Sequence, residues 1–137
     1  MQFISINPNL TIIDDSYNAN INSALSAIRV LDKLSGYKIL VLGDMKELGN
    51  KTTWYHNILK KIIFSFKINK ILSIGLYTQI ITKNFRHGKH FQNYFKLLQY
   101  LRALLTNTKI QTTILFKSSR NILLDHVIKN ILQGNKK

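Results

Sequence analysis

The residues best suited to chemistry form one polar run, Asp14-Asp-Ser-Tyr-Asn-Ala-Asn20, which lies between an apolar stretch and a helical one. Two adjacent carboxylates repel each other, and neither is easily buried without a partner. Because Leu10–Ile13 is apolar and short, it predicts a strand that would deliver this run to the edge of a sheet, where open α/β sheets hold their ligands. The alternative is a helix cap, since Asp and Asn favour the N-cap position.

Two further segments place polar groups beside a predicted strand. Gly43-Asp-Met-Lys-Glu-Leu-Gly49 follows one apolar run, and Lys117-Ser-Ser-Arg120 ends another. Of the six acidic residues, four fall in two short segments: Asp14 and Asp15 in the first, Asp44 and Glu47 in the second. In a chain so poor in acid, this clustering indicates positions where a carboxylate is needed.

Three local patterns have simpler interpretations. Residues 43–52 resemble a phosphate-binding loop, but five residues separate the glycines, Asn50 precedes the lysine, and the acidic groups would repel a triphosphate. His87 and His90 lack an evident third metal ligand, so an exposed loop pair is the better explanation. Residues 117–120 either bind an anion through two cations and helix N–H groups, or form a serine cap with solvated charges.

Composition limits the class of protein. The 137 residues suit one domain with a real core, and no apolar run approaches the roughly 18 residues of a membrane span. The first residues lack the basic start and cleavage site of a signal peptide. Zero cysteines exclude disulfides and thiolate metal sites, which fits a reducing compartment. We therefore expect a cytoplasmic protein with no membrane partner and no metal site of its own.

The formal net charge of +14 is typical of proteins that bind nucleic acid. However, lysine supplies 16 of the 20 basic residues and is scattered along the chain, whereas arginine, the better reader of bases and phosphates, is scarce. The abundance of Ile (20) and Asn (14) together with Lys indicates an A+T-rich coding sequence. Nucleic acid is thus the less favoured partner, and a nonenzymatic basic α/β binding module is the alternative function.

Apolar runs alternate with amphipathic segments along the chain. Strands are predicted at Leu10–Asp14, Lys38–Leu42, Lys70–Ile74 and Gln111–Lys117, with His90-Phe91 as a very short edge strand. Helices are predicted over residues 21–35, 52–66, 77–85 and 93–105, and after Arg120 to about residue 133. Apolar strands that are each followed by a helix imply one α/β domain with a mostly parallel sheet covered on both faces. The carboxyl ends of such strands share one edge, so the three polar segments and Gly75 are expected together.

Taken together, the three polar segments resemble the C-terminal domain of the Mur ligase family, in the branch that adds D-alanyl-D-alanine to UDP-N-acetylmuramoyl-tripeptide (UDP-MurNAc-tripeptide) in peptidoglycan synthesis. Their order and spacing agree from about Leu10 to Leu132. The resemblance implies a Rossmann-like three-layer domain that occupies residues 1–137. It also implies that the N-terminal UDP-binding and central ATPase domains are absent, and would be supplied in the same polypeptide or as a separate chain.

The resemblance implies an ATP-dependent amide-bond ligase. ATP would phosphorylate the terminal carboxylate of the tripeptide, and the amine of the dipeptide would then attack that acyl phosphate. ATP and Mg²⁺ would be bound mainly by the central domain, so no catalytic or metal-ligating residue is expected in this chain. The isolated chain is expected to be inactive.

The resemblance also implies roles for individual residues at the rim. Asp15 would contact the ATP ribose, and the residues that shape the same nucleotide site would be Asp14, Tyr17, Asn18 and Asn20. The residues on the substrate side would be Gly43, Asp44, Lys117, Ser119 and Arg120, of which the last three would face the dipeptide.

Some positions depart from the family pattern. Ile21 stands where the family usually has proline, and Ser118 stands where its Lys-Gly-Ser-Arg segment has glycine. Glycine often permits a positive φ or a close backbone approach, so Ser118 bears on how the dipeptide is positioned. An arginine that helps hold the nucleotide has no clear counterpart in residues 1–9, and a phosphate loop is missing. The chain is therefore expected to be a fragment, one piece of a split enzyme, or a degenerate remnant without activity.

Overall fold

The computed structural model describes residues 1–16, 20–46, 49–83, 85–106 and 109–134. The strands in these residues are β1 (Gln2–Asn7), β2 (Leu10–Asp15), β3 (Tyr37–Gly43), β4 (Lys70–Ile74), β5 (Gly88–Phe91) and β6 (Thr112–Lys117). The helices are α1 (Ile21–Lys33), α2 (Thr52–Ile63), α3 (Gln79–Thr82), α4 (Tyr94–Thr106) and α5 (Ile122–Gly134), with a short 3₁₀ turn (Gly49–Lys51) before α2.

All six strands belong to one sheet in the order β1-β2-β6-β3-β4-β5. β1 pairs antiparallel with β2, and every other neighbouring pair is parallel. The predicted mostly parallel sheet is therefore confirmed. Because β6 returns between β2 and β3, the carboxyl end of β6 lies between the ends of two strands that are much earlier in the sequence.

Helices cover both faces of the sheet and give three layers. On one face Ile12, Val41, Ile114 and Phe116 pack with α4 and α5, and on the other Ile13, Leu40, Leu42 and Leu115 pack with α1 and α2. Consecutive strand residues thus enter opposite clusters, as the period of a strand requires. Since both faces are covered, nearly every residue of β3 and β6 is buried, and the central residues of these two strands, 39–42 and 114–116, are apolar.

Helix α1 shows how the sequence determines the local structure. Ala24, Ala27, Ile28 and Leu31 recur at helical spacing and are fully buried against the sheet. The Asn20 side chain accepts the N–H of Ser23 at 2.9 Å, and the Ser23 hydroxyl accepts the Asn20 N–H at 3.1 Å, which forms a capping box. The helix therefore starts correctly without the family's proline, and the helix-cap interpretation is confirmed for Asn20.

Strand β1 was not predicted. It is an edge strand in which Ile4 and Ile6 alternate with exposed Phe3 and Ser5, so its only sequence signal is a two-residue alternation. The segment predicted as a helix over 77–85 is helical only over Gln79–Thr82, and the predicted helix over 52–66 ends at Ile63. The expected edge strand at His90-Phe91 is confirmed and begins two residues earlier. Within the described residues, no helix has both the length and the apolar character that a membrane crossing needs.

Candidate functional site

Strands β2, β6 and β3 bring the three polar segments to one edge of the sheet. In the register of the sheet, Lys117 lies beside Asp15 on one side and beside Leu42 on the other. Gly43 ends β3 one residue further on. The expectation that these segments meet at the carboxyl edge is confirmed, and it follows from the parallel direction of the three strands.

An ion pair joins the ends of β2 and β6. The Lys117 ammonium Nζ donates to Oδ2 of Asp15 at 2.8 Å, and the Lys117 side chain is only 2% exposed. Asp15 is 17% exposed, and its Oδ1 lies 3.5 Å from the Met1 amino group. A buried lysine of this kind needs a charged or strongly polar partner, because transfer of a lone ammonium from water is very costly. The pairing therefore accounts for a lysine at this position.

A cavity of about 280 Å³ opens beside this ion pair. It is lined by Met1, Gln2, Asp14, Asp15, Ser16, Arg120 and Asp125. The Ser16 hydroxyl lies 2.6 Å from Oδ1 of Asp14, to which it donates, and 3.4 Å from Oδ1 of Asp125 on α5. The cavity thus combines carboxylate acceptors with one guanidinium, a set that suits hydroxyl groups and a small anion. Ser16 and Asp125 were missed as site residues, because only the packing of α5 beside β2 brings Asp125 here.

Gly43 is closely approached by Ser118. A Cβ added to Gly43 would lie 2.6 Å from the Cβ of Ser118, well inside contact distance. The glycine at the end of β3 is therefore required by the side chain at the end of β6, where the family pattern has its own glycine. The Ser118 hydroxyl donates to the carbonyl of Ser119 at 2.8 Å.

Asp44 orders the loop that follows β4. Its Oδ2 accepts the N–H of Leu76 at 2.8 Å, and its Oδ1 accepts the N–H groups of Tyr77 and Thr78 at 3.0 Å each. Gly75 has φ of +124°, and a Cβ on it would lie 2.5 Å from the Asp44 carboxylate. Asp44, where the sequence predicted that a carboxylate is needed, therefore accepts hydrogen bonds from three backbone N–H groups of another loop.

The loop after β3 is also tied to the loop after β6 and to α2. Ser119 accepts the N–H of Lys46 at 2.7 Å through its hydroxyl, and its own N–H donates to the Asp44 carbonyl at 3.2 Å. Fully buried His56 accepts the Met45 N–H at Nε2 (3.3 Å), so its Nδ1 carries the proton that is donated to the Thr52 carbonyl at 2.8 Å. His56 was not singled out from the sequence, because a single histidine in a helix carries no spacing signal.

Arg120 is exposed at the cavity, and the start of α5 is capped by Asn121 rather than by a serine. The Asn121 side chain accepts the N–H groups of Leu123 and Leu124 at 2.9 and 3.4 Å, and donates to the Tyr94 hydroxyl at 2.5 Å. Burial raises the pKa of Tyr94 above its usual range. Tyr17 and Asn18, which the resemblance implies at the nucleotide site, and Glu47, where a carboxylate was expected to be needed, lie outside the described residues.

His90 takes part in a hydroxyl network rather than in a metal site. Its Nδ1 lies 2.7 Å from the Ser73 hydroxyl, which lies 2.7 Å from the Thr82 hydroxyl. Burial lowers the pKa of His90 below its ordinary value. Among the residues that the structure describes, no three His, Cys, Asp or Glu side chains are grouped so that they could hold a metal ion.

Comparison with known proteins identifies relatives of the whole chain. Residues 1–120 match the family described as Mur ligase, glutamate ligase domain. A protein from Buchnera aphidicola subsp. Acyrthosiphon pisum, named UDP-N-acetylmuramoyl-tripeptide--D-alanyl-D-alanine ligase, is 44% identical over 137 residues, which are 100% of this chain and 30% of that protein. The ligase of the same name from Escherichia coli is 34% identical over 132 residues, which cover 96% of this chain and 29% of that protein.

The fold is also shared with a solved structure. A crystal structure of MurF from Acinetobacter baumannii superimposes with a TM-score of 0.85 and 28% sequence identity, over 96% of this chain and 29% of that chain. The present chain thus spans less than a third of the length of the relatives that it matches.

Proposed function

Because the chain belongs to the Mur ligase family and has the fold of its C-terminal domain, we propose that it works as that domain in an ATP-dependent ligase. The ligase would join D-alanyl-D-alanine to UDP-MurNAc-tripeptide in cytoplasmic synthesis of the peptidoglycan precursor. The remaining domains would act in the same polypeptide or as a separate chain.

The observation that carries this proposal is the match along the entire chain to a ligase named for that reaction, at 44% identity. The geometry supports it independently, since the segments that resemble the family meet at one edge beside a cavity with carboxylates and a guanidinium. No buried side-chain N or O among the described residues lacks a hydrogen-bond partner, as is typical of a chain that folds.

In the proposed ligase, the cavity would receive the sugar end of the nucleotide. Asp15 would accept hydrogen bonds from the ribose hydroxyls, with Asp14 and the segment 17–20 beside it. Arg120, with Ser119 beside it, would be on the side of the dipeptide, whose carboxylate suits a guanidinium. Gly43 and Asp44 would support this side by setting the position of the loops.

The phosphates of ATP would be held by the rest of the ligase. Among the described residues, no three His, Cys, Asp or Glu side chains are grouped so that they could hold a metal ion on their own, and we assign the Mg²⁺ that accompanies ATP to the rest of the ligase. The chemistry that this domain supplies is therefore orientation: it would hold the nucleotide sugar and present the amine of the dipeptide. Orienting two reactants can lower a barrier by several kcal/mol without any group that transfers a proton.

The direct test is to join this chain to the preceding two domains of the Buchnera relative, in place of that protein's own last domain. The joined protein should release phosphate and form the ligated product only when ATP, UDP-MurNAc-tripeptide and D-alanyl-D-alanine are all present. The 137-residue chain alone, assayed in parallel, should not turn over ATP. A well-folded joined protein that makes no product would contradict the proposal, and strong salt-dependent DNA binding by the chain would favour the nucleic-acid alternative.

A further inference from the structure

The position of Lys117 differs from what a dipeptide ligand requires. Its side chain is 2% exposed, and its ammonium lies 2.8 Å from Asp15 rather than facing solvent. Arg120, three residues later, is exposed at the cavity. A cationic side chain can bind a carboxylate that arrives from solution only if the side chain is exposed to solvent. Of these two residues, only Arg120 is exposed in this structure.

The pairing is fixed by the sheet itself. Asp15 and Lys117 are direct neighbours in the parallel register of β2 and β6, and both strands continue into the core with apolar neighbours. The Lys117 side chain is buried, so an ammonium that left Asp15 would lose its charged partner while still largely out of contact with water, which is costly. The ammonium therefore stays with the carboxylate.

This arrangement leaves Asp15 able to bind something else. A carboxylate offers about four lone-pair positions, and the Lys117 ammonium occupies one of them on Oδ2. Asp15 also lines the cavity, where its Oδ1 is paired with the Met1 amino group at 3.5 Å, so each carboxylate oxygen still has a lone pair to offer. The lysine thus holds one oxygen in place while the carboxylate keeps acceptor capacity toward the cavity.

We propose that Lys117 is a positioning residue for Asp15 at the nucleotide sugar, and that it does not bind the dipeptide. This inference rests on the proposed function, since it specifies how one residue of that site works. It reassigns Lys117 from the substrate side, where the family resemblance placed it, to the nucleotide side.

The test uses the 137-residue chain and two probes, adenosine and D-alanyl-D-alanine, each titrated while amide signals are followed by NMR. Adenosine carries the ribose but no phosphate. Loss of a cation therefore cannot weaken adenosine binding by removing an attraction to a negative charge. Lys117→Met should weaken adenosine binding roughly tenfold, the change that corresponds to about 1.4 kcal/mol, and should leave dipeptide binding within about twofold. Lys117→Arg, which keeps a charged donor, should restore most of the adenosine affinity.

Lys38 provides a matched control. It is also a buried lysine (7% exposed) at the other end of the sheet, where its Nζ donates to the carbonyl of Asp32 at 2.8 Å. Like Lys117→Met, Lys38→Met replaces a buried lysine and removes one positive charge. It should therefore lower stability without changing the affinity for adenosine. Thermal unfolding of each variant shows whether the fold is intact.

A double substitution separates positioning from a general structural effect. If Lys117 acts through Asp15, then Asp15→Asn already removes the benefit, and Asp15→Asn combined with Lys117→Met should bind adenosine within about twofold of Asp15→Asn alone. Full additivity of the two losses would overturn the inference. So would a folded Lys117→Met chain that keeps its adenosine affinity, or one that loses dipeptide affinity instead.

Failure of the proposed function looks different. A folded wild-type chain that binds no adenosine even at high concentration would overturn the inference, whereas the proposed function is decided by whether the joined protein forms the ligated product. Adenosine binding that is indifferent to Lys117 would overturn the inference alone and leave the proposed function standing.

Discussion

The contact between Gly43 and Ser118 makes a sharp prediction about stability. Gly43→Ala would place a methyl group 2.6 Å from the Ser118 Cβ and 3.3 Å from its hydroxyl oxygen. Neither residue can move away easily, because β3 and β6 are hydrogen-bonded neighbours up to Leu42 and Lys117, directly before them. Both positions are buried, so the added methyl group cannot turn toward solvent.

The size of the effect follows from the geometry. Ordinary contacts of a Cβ lie at 3.4–4 Å, so the two strand ends would have to separate by most of an ångström. Overpacking of this kind costs about 1–3 kcal/mol, and we expect about 2 kcal/mol here. For a domain of this size that corresponds to a fall in Tm of roughly 6–10 °C.

Ser118→Gly should rescue the variant. It removes both short contacts and leaves only the ordinary one to Leu124 at 3.9 Å. Glycine at position 118 costs about 0.5–1 kcal/mol in chain entropy, and alanine at position 43 returns about the same amount. The free energy of unfolding of the double variant Gly43→Ala/Ser118→Gly should therefore lie within about 1 kcal/mol of that of wild type. This corresponds to a coupling energy of about 1–3 kcal/mol between the two substitutions.

The assay is urea unfolding of wild type, the two single variants and the double variant, monitored by circular dichroism. The midpoints can be compared as stabilities if the m-value is the same for all four proteins. Gly43→Ala that is as stable as wild type would refute the reasoning, because the strand ends would then have room. A double variant as unstable as Gly43→Ala would refute it as well, since the clash would then lie elsewhere.

Three further predictions concern single side chains. Asp44→Ala should cost about 2–4 kcal/mol in urea unfolding, since it removes the acceptor of three backbone N–H groups, and a loss below about 0.5 kcal/mol would show that water replaces it fully. Burial lowers the pKa of His90 in the folded chain, so the unfolded chain binds the proton first as pH falls. The contribution of His90 to stability is therefore complete above about pH 6.5 and is lost below it. The urea midpoint of wild type should fall more steeply from pH 7.5 to 5 than that of His90→Gln. In the joined ligase, Asp15→Asn should raise the apparent KM for ATP roughly tenfold with little change for D-alanyl-D-alanine, and an unchanged ATP dependence would remove Asp15 from the nucleotide site.

The sequence predicted the central sheet well because β2, β3, β4 and β6 each contain a short apolar run. Lys70–Ile74 was predicted with the observed ends, and the remaining parallel strands were predicted to within two residues. β1 was missed because an edge strand with one partner shows only a weak alternation, here Ile4 and Ile6. The helix around α3 was overestimated because Thr82 directs its hydroxyl to Ser73 while a turn, closed by the N–H of Phe85 to the Thr82 carbonyl, ends the helix.

The meeting of the polar segments at one edge could be predicted, but their partners could not. The parallel direction of the strands suffices to bring Asp15 and Lys117 to the same rim. That they form a pair depends on the insertion of β6 beside β2, across 102 residues of sequence, which no local pattern encodes. The same holds for Asp125, which reaches the cavity only because α5 packs beside the end of β2.

Asp44 shows that the need for a carboxylate could be predicted from the sequence, whereas the groups that contact it could not. The scarcity of acid in the chain indicated that a carboxylate is needed there, and the structure shows three backbone N–H groups that need it. Ser119 and His56 then tie the neighbouring residues Lys46 and Met45 to β6 and α2. Since these ties join the loops after β3, β4 and β6 into one unit, a substitution at Asp44 would shift the loop that carries Arg120. In the proposed ligase, an Asp44 variant would therefore bind the dipeptide more weakly even if the carboxylate never touches the dipeptide, and its loss of stability in urea would identify the cause.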